Sequence, residues 1–189
     1  LVTEPDITDA EQAITFAQDL RRILRYCGIS DADMEKGLMR VEANISVDMG
    51  TKVEVKNINS FAAVRDAIMH EYARQTALLQ KGAVVAQETR GWDTNKREPV
   101  SQRNKEEAHD YRYFPEPDLP PLDLREFDIK TLRTEIPELP EAKRQRFIGE
   151  YGLNKDQVEV LIDDKAAAEF FEEAVSELKT YNLKPMTYN

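Results

Sequence analysis

Between residues 39 and 60, polar side chains recur at every second position. Arg40, Glu42, Asn44 and Ser46 alternate with Met39, Val41, Ala43, Ile45 and Val47. After Asp48-Met49-Gly50, Lys52, Glu54 and Lys56 alternate with Val53 and Val55. A period of two is what a half-buried strand requires, so one face of each run is apolar and the other carries lysine, arginine, glutamate and amide together. That face has two readings. It can be a solvated sheet surface with cross-strand ion pairs of about 0.2–1 kcal/mol each. It can also be the floor for a ligand that is anionic and metal-bound, with Lys and Arg for phosphate or carboxylate, Glu for Mg²⁺ and amides for orientation.

The elements that position these groups follow from the same alternation. A hairpin whose loop is Asp48-Met49-Gly50, with Gly50 as the left-handed residue, sets Ile45 against Val53 and Ala43 against Val55. On the polar face it sets Glu42 against Lys56, Asn44 against Glu54 and Ser46 against Lys52. A two-residue loop would put Ile45 against Lys52 and mix the faces. Asn57-Ile58-Asn59-Ser60 then runs into a helical pattern, so a helix N-terminus with free N–H groups would open beside the charged face. Earlier in the chain, Thr3-Glu4-Pro5-Asp6 is a turn-like loop whose acids can serve a site or face water.

Composition narrows the classes. With 189 residues the chain can bury a real core in one or two domains. No apolar run approaches the roughly 20 residues of a membrane span, and no signal peptide opens the sequence, which points to a soluble protein with no membrane partner. The single cysteine, Cys27, excludes an internal disulfide and fits a core position in a reducing compartment, the cytoplasm. With only His70 and His109 as histidines and no cysteine cluster, a structural zinc site is not expected. A net charge of -10 disfavours a general nucleic-acid-binding surface. The chain opens at Leu1 within a strand-like stretch and stops just past a helix, and it reads as a piece of a longer protein.

Taken in order, Thr8-Asp9-Ala10-Glu11 spells a capping box between Thr8 and Glu11. A helix follows with Ala13, Ala17, Leu20, Leu24 and Cys27 on its buried face and Gly28 as its cap. After the hairpin, Ser60 or Asn59 caps a second helix with Phe61, Val64, Ile68 and Leu79 on one face, ended by Gly82. Residues 83–90 and 99–103 read as two strands around Asp93-Thr94-Asn95. Helix, strand, strand, helix, strand, strand is an α+β domain with a mostly antiparallel sheet. From Glu106 the chain becomes aromatic, acidic and proline-rich, which reads as a stiff linker or as a strap laid across the domain; aromatics among acids and an arginine favour a strap in which Asp110, Arg112 and Tyr113 are packed. The α+β domain is expected to cover residues 1–121. Residues 122–189 read as short helices of an incomplete all-α domain, with Pro140 at a helix N1, Gly152 as a stop, Asn154 as a cap, and Ala167, Phe170, Phe171, Ala174, Val175 and Leu178 striping the last helix. There is no Walker-type loop, dinucleotide fingerprint or G-x-S-x-G elbow, so nucleotide chemistry would need another scaffold.

These residues also form long motifs. Thr3-Glu4-Pro5-Asp6, residues 39–46 (MRVEANIS), residues 50–61 (GTKVEVKNINSF), Gln87-Glu88-Thr89-Arg90 and residues 106–118 (EEAHDYRYFPEPD) together resemble the B-subunit family of aspartyl/glutamyl-tRNA amidotransferases over nearly the whole chain. The resemblance implies a fold in which the end of a cradle-shaped domain is followed by the start of a helical domain. The implied activity is that of a carbon-nitrogen ligase: with ATP and Mg²⁺, the side-chain carboxylate of Glu-tRNA(Gln) or Asp-tRNA(Asn) is phosphorylated. Ammonia from glutamine, released in an amidase A subunit, then replaces the phosphate, and a small C subunit completes a heterotrimer. Three departures stand out. The family's E-x-H segment would precede Leu1, many relatives have Cys-Asp where this chain has Val41-Glu42, and the Asp48-Met49 link is shorter than in many of them.

On that reading Lys52, Lys56 and Arg40 would offset phosphate and acyl charge, and Glu42 and Glu54, with Glu4, would hold Mg²⁺. Asn44, Ser46, Asn57, Asn59 and Ser60 would position substrate or nucleotide. The isolated chain would be inactive, since it carries no nucleophile constellation for glutamine hydrolysis. The alternative is a scaffold that docks the amidase partner and tRNA without chemistry of its own.

Overall fold

In the computed structural model, residues 1–104 and 117–181 are described. They form two compact units. One comprises Leu1–Gln18 and Ala32–Leu122, the other Asp19–Asp31 and Asp123–Asn189. Helix α1 (Ala10–Tyr26) therefore contributes its first half to one unit and its second half to the other. Among the described residues no helix is long and apolar enough to cross a membrane.

The first unit is α+β. Its four strands, β1 (Val41–Ile45), β2 (Val53–Ile58), β3 (Glu88–Asp93) and β4 (Glu98–Asn104), lie in the order β1-β2-β3-β4. The β1/β2 and β3/β4 pairs are antiparallel and the central β2/β3 pair is parallel. The parallel step needs a crossover, and α2 (Phe61–Gln80) supplies it. This helix lays Ala63, Val64 and Ala67 on Ile45, Val55, Ile58 and Trp92, with Ala13 of α1 and Ala43 at the margin. Val53 and Val55 are fully buried, and burial of such a side chain contributes about 1.5–3 kcal/mol.

The hairpin register expected from alternation holds at its centre, where Ala43 pairs with Val55, Asn44 with Glu54 and Ile45 with Val53. The turn differs. Asp48 and Met49, not Gly50, are left-handed (φ 50° and 57°), and the Gly50 N–H donates to the Val47 carbonyl at 2.9 Å. Two consecutive positive-φ residues closed in this way make a type I′ tip, whose twist suits a hairpin. Glycine is needed at position 50 for space, since a Cβ there would lie 2.9 Å from the Val47 oxygen. A second departure lies at the other end of the ladder. Val41 pairs with Ile58, so β2 carries one extra residue between there and Val55. Asn57, at φ 61°, absorbs it. The bulge returns Ile58 to the apolar face and puts Glu42 opposite a kinked segment instead of Lys56 alone.

Other expectations shift by local chemistry. The α1 cap is Asp9, whose Oδ1 accepts from the Gln12 N–H at 2.8 Å, while Gln12 Oε1 accepts from the Thr8 N–H at 3.0 Å. Asp9 and Gln12 thus cap the helix in place of Thr8 and Glu11, with the Gln12 side chain closing onto Thr8 and not onto Asp9. The strand expected from residue 83 begins only at Glu88, and residues 83–87 are irregular. Leu79 is exposed. The α2 face that meets the sheet continues instead through Glu71 and Gln75. Gly28 and Gly82 are left-handed helix stops as expected, whereas Cys27 is only half-buried. The strap with Asp110, Arg112 and Tyr113 falls outside the described residues.

The second unit is all helical. It contains a 3-10 turn (Leu124–Glu126), α3 (Ile129–Glu135), α4 (Pro140–Tyr151), α5 (Lys155–Ile162) and α6 (Lys165–Thr180). Its core is Phe147, Leu153, Val158, Ile162 and Ala168, flanked by Tyr151, Leu161 and Phe171. Pro140 opens α4, Gly152 ends it at φ 66°, and Asn154 forms a full capping box with Gln157. Phe170 is 71% exposed, whereas its neighbour Phe171 packs its ring 5.4 Å from Phe147. The α6 stripe therefore runs through Ala168, Phe171 and Val175 and leaves Phe170 outside it. Tyr26 is buried here, donating its hydroxyl to the Ile162 carbonyl at 3.1 Å. Burial, partly offset by the Arg22 charge, pushes its phenol up to about 12.

Candidate functional site

Helix α2 covers one face of the sheet and leaves the alternate positions of β1 and β2 on the other. Lys56 is central there. Its Nζ lies 3.6 Å from Glu42 Oε2 and 3.5 Å from Glu54 Oε1, and Arg40 reaches Glu42 at 3.8 Å. Two carboxylates thus converge on one ammonium. The Glu54 side chain is the most shielded of this set, 17% exposed, against 34% for Glu42 and 36% for Lys56. The parallel partner of Glu54 on β3 is Thr89, whose hydroxyl donates to Glu54 Oε2 at 3.1 Å. Thr89 itself is buried.

The remaining candidates surround this pair at varied depth. Lys52 and Asn44 are exposed, and Ser46 is half-buried. Asn57 is exposed at the bulge, next to Lys56 in sequence. Asn59 is exposed, and Ser60 caps α2, its Oγ accepting from the Ala63 N–H at 3.1 Å. The Ser60 oxygen is therefore already engaged in holding the helix start. Glu4 lies in the exposed segment before α1, and no ion pair or hydrogen bond ties it to the hairpin among the described residues. Among the hairpin residues named here, the cations Arg40, Lys52 and Lys56 outnumber the anions Glu42 and Glu54 by one.

The reverse face of β3 holds a second ionic group that apolar periodicity could not reveal. Glu71 of α2 is fully buried and accepts from Arg74 Nε at 2.9 Å, Arg74 NH2 at 2.7 Å and Gln75 Nε2 at 2.8 Å. The Gln75 amide also donates to the Ile45 carbonyl at 3.0 Å, tying α2 to the end of β1. Arg90 of β3 donates to Glu88 Oε1 and to the Pro99 carbonyl, both at 2.8 Å, and lies 3.7 Å from Glu71. Ser101 donates to Glu88 Oε2 at 2.6 Å. Burial alone would raise the Glu88 carboxyl, but hydrogen bonds from Ser101 and Arg90 and the charges of Arg90 and Arg74 outweigh it and hold it below the usual range. Two arginines and two glutamates make up this network, which anchors β3 from behind while Thr89 points to the face opposite α2.

Sequence alternation located the hairpin residues but missed Thr89. The signal available for it was its place between Glu88 and Arg90, two charged residues destined for the opposite face.

Comparison with known proteins now bears on this geometry. The family described as the GatB/GatE catalytic domain matches residues 1–130. The B subunit of an aspartyl/glutamyl-tRNA(Asn/Gln) amidotransferase from Herpetosiphon aurantiacus is 44% identical over 192 residues, covering 98% of this chain and 40% of that protein. The proteins of the same name from Crocosphaera subtropica and Methylobacterium nodulans are 47% and 49% identical, over 93% and 91% of this chain and 37% and 36% of their own lengths. The chain spans about two fifths of the length of these relatives. With more than half of its residues matched, and the hairpin and β3 lying inside the matched range, the chain belongs to the GatB/GatE catalytic domain family.

Proposed function

We propose that the face of the β1/β2 hairpin opposite α2 forms part of an ATP- and Mg²⁺-dependent site that activates the side-chain carboxylate of Glu-tRNA(Gln) or Asp-tRNA(Asn), before amidation by ammonia from a partner amidase. A small third subunit and the misacylated tRNA are the further partners in this reading. The observation that carries it is Lys56 held between Glu42 and Glu54 on the sheet face opposite α2 in a domain of this family.

The donor set fits a hydrated Mg²⁺, which prefers oxygen ligands and is commonly bound through one or two carboxylates while keeping several waters. Glu42 and Glu54 offer such a pair. No group of three or more His, Cys, Asp or Glu side chains gathers among the described residues, so a closed all-protein cage is not on offer there. When bound, Mg²⁺ supplies charge stabilisation to phosphoryl oxygens. The chain's own residues meet the other demand, which is that a carboxylate and a polyphosphate, both anionic, must approach one another. Lys56, fixed by two acceptors, presents a positioned positive charge without reorganisation. Arg40 and Lys52, more exposed, draw the anionic groups in. Asn44, Ser46, Asn57 and Asn59 provide hydrogen-bonding groups around the rim, and Ser60 holds the start of α2 beside them.

The test is Lys56→Ala in the full assembly. Loss of one positioned electrostatic contact should lower ATP-dependent activation of the acyl-tRNA about 10²-fold or more, while glutamine hydrolysis without tRNA or ATP stays intact. Normal phosphorylation by this variant refutes the proposed role. Failure of the assembly to form supports the scaffold instead.

A further inference from the structure

The Thr89 hydroxyl faces away from the buried Glu71/Arg90 network and donates to Glu54 Oε2 at 3.1 Å, the direct register partner across the parallel β2/β3 pair. Thr89 is 6% exposed, so bulk water does not readily replace this bond. With one carboxylate oxygen engaged by the hydroxyl, the other, Oε1, is the one turned to the Lys56 ammonium at 3.5 Å. The hydroxyl thereby restrains the rotation of the Glu54 carboxylate and sets which oxygen it turns toward Lys56. Behind Thr89, Arg90 is bonded to Glu88 and to the Pro99 carbonyl, so the strand carrying the hydroxyl is itself held.

We infer that Thr89 is a positioning residue that orients Glu54 toward a divalent cation on the hairpin face; this rests on the reading of that face given above. Partners that orient a metal-binding carboxylate typically contribute 10–100-fold to metal affinity. Glu42, which has no such hydroxyl partner among the described residues, would then be the more adaptable of the two acids.

The experiment is a titration of the full assembly with Mn²⁺, without nucleotide or tRNA, following the free Mn²⁺ signal by electron paramagnetic resonance. Thr89→Val keeps the shape and branching of the side chain and removes only the hydroxyl. It should weaken Mn²⁺ binding about 10-fold or more, and Thr89→Ala, which adds no bulk, should do the same. Thr89→Ser should stay within about 2-fold of the parent, a rescue that a merely packing role would not produce. Wild-type affinity in Thr89→Val and Thr89→Ala, with Glu54→Gln losing affinity, overturns the role of Thr89 and leaves the metal-binding face standing. Equal weakening by Val, Ala and Ser also overturns it. Unchanged affinity in Glu54→Gln overturns the metal role of the face, and the role of Thr89 with it.

Discussion

Glu71→Ala should be the most damaging single change in the α+β unit that touches no apolar contact. The carboxylate is fully buried and accepts three hydrogen bonds, two of them from Arg74. Removing it leaves Arg74 and Arg90 with Glu88 as their remaining acid, so two cations share one buried anion. Breaking a buried ionic group by deleting one partner costs about 3–5 kcal/mol, a large share of the roughly 5–15 kcal/mol typical of a domain. Glu71→Gln should cost less, about 1–3 kcal/mol, because an amide oxygen can still accept from Arg74. Trp92 is the only tryptophan and lies in the sheet core under α2, so its fluorescence reports this unit. In urea, with a slope of about 1–3 kcal/mol/M, the Ala variant should lower the midpoint by roughly 1–5 M at unchanged slope. A loss below about 1 kcal/mol for Glu71→Ala would show that Glu88 alone satisfies both arginines and that the network does not hold α2 to β3.

Two further outcomes concern the helical unit. Phe147, fully buried between Tyr151 and Phe171, should lose about 3–5 kcal/mol on change to Ala, whereas Phe170→Ala should stay within about 0.5 kcal/mol; chemical denaturation followed by far-ultraviolet circular dichroism separates the two. The second outcome is acid sensitivity. Hydrogen bonds from Arg146 hold the Glu138 carboxyl below its usual range, and at Asp163 the upward push of burial is outweighed by bonds from Arg22 and the charges of Arg21 and Arg22, so it is held low too. A carboxyl depressed in the folded state contributes stability above its unfolded value of about 4 that is lost as pH falls through the folded value. Thermal melts should therefore show stability falling below about pH 4, and less steeply in Arg146→Met than in the parent; identical acid slopes would refute the assignment.

What the sequence determined was whatever depends on short-range periodicity. Alternation in residues 41–56 set the central hairpin register and the polar face, because a one-residue slip would have buried Lys52 against Ile45. Glycines 28, 82 and 152 and Asn154 marked helix ends, since left-handed backbone and N-terminal N–H groups select those residue types locally. The family motifs carried the rest of the assignment. The tertiary structure decided what depends on partners distant in the chain. Gly50 could not be told from Asp48 and Met49 as the left-handed position, because both arrangements bring the strands together and only the closure onto the Val47 carbonyl distinguishes them. Leu79 and Phe170 carry apolar side chains yet face solvent, while Glu71 and Gln75 lie in the core because Arg74, Arg90 and the Ile45 carbonyl wait there for them. An apolar stripe is blind to such residues: a buried charge is tolerated only where its partners already stand, and those on β3 come from a separate strand, brought beside α2 only by the crossover. Thr89 belongs to the same class, a hydroxyl brought to Glu54 by the parallel pairing of β2 with β3.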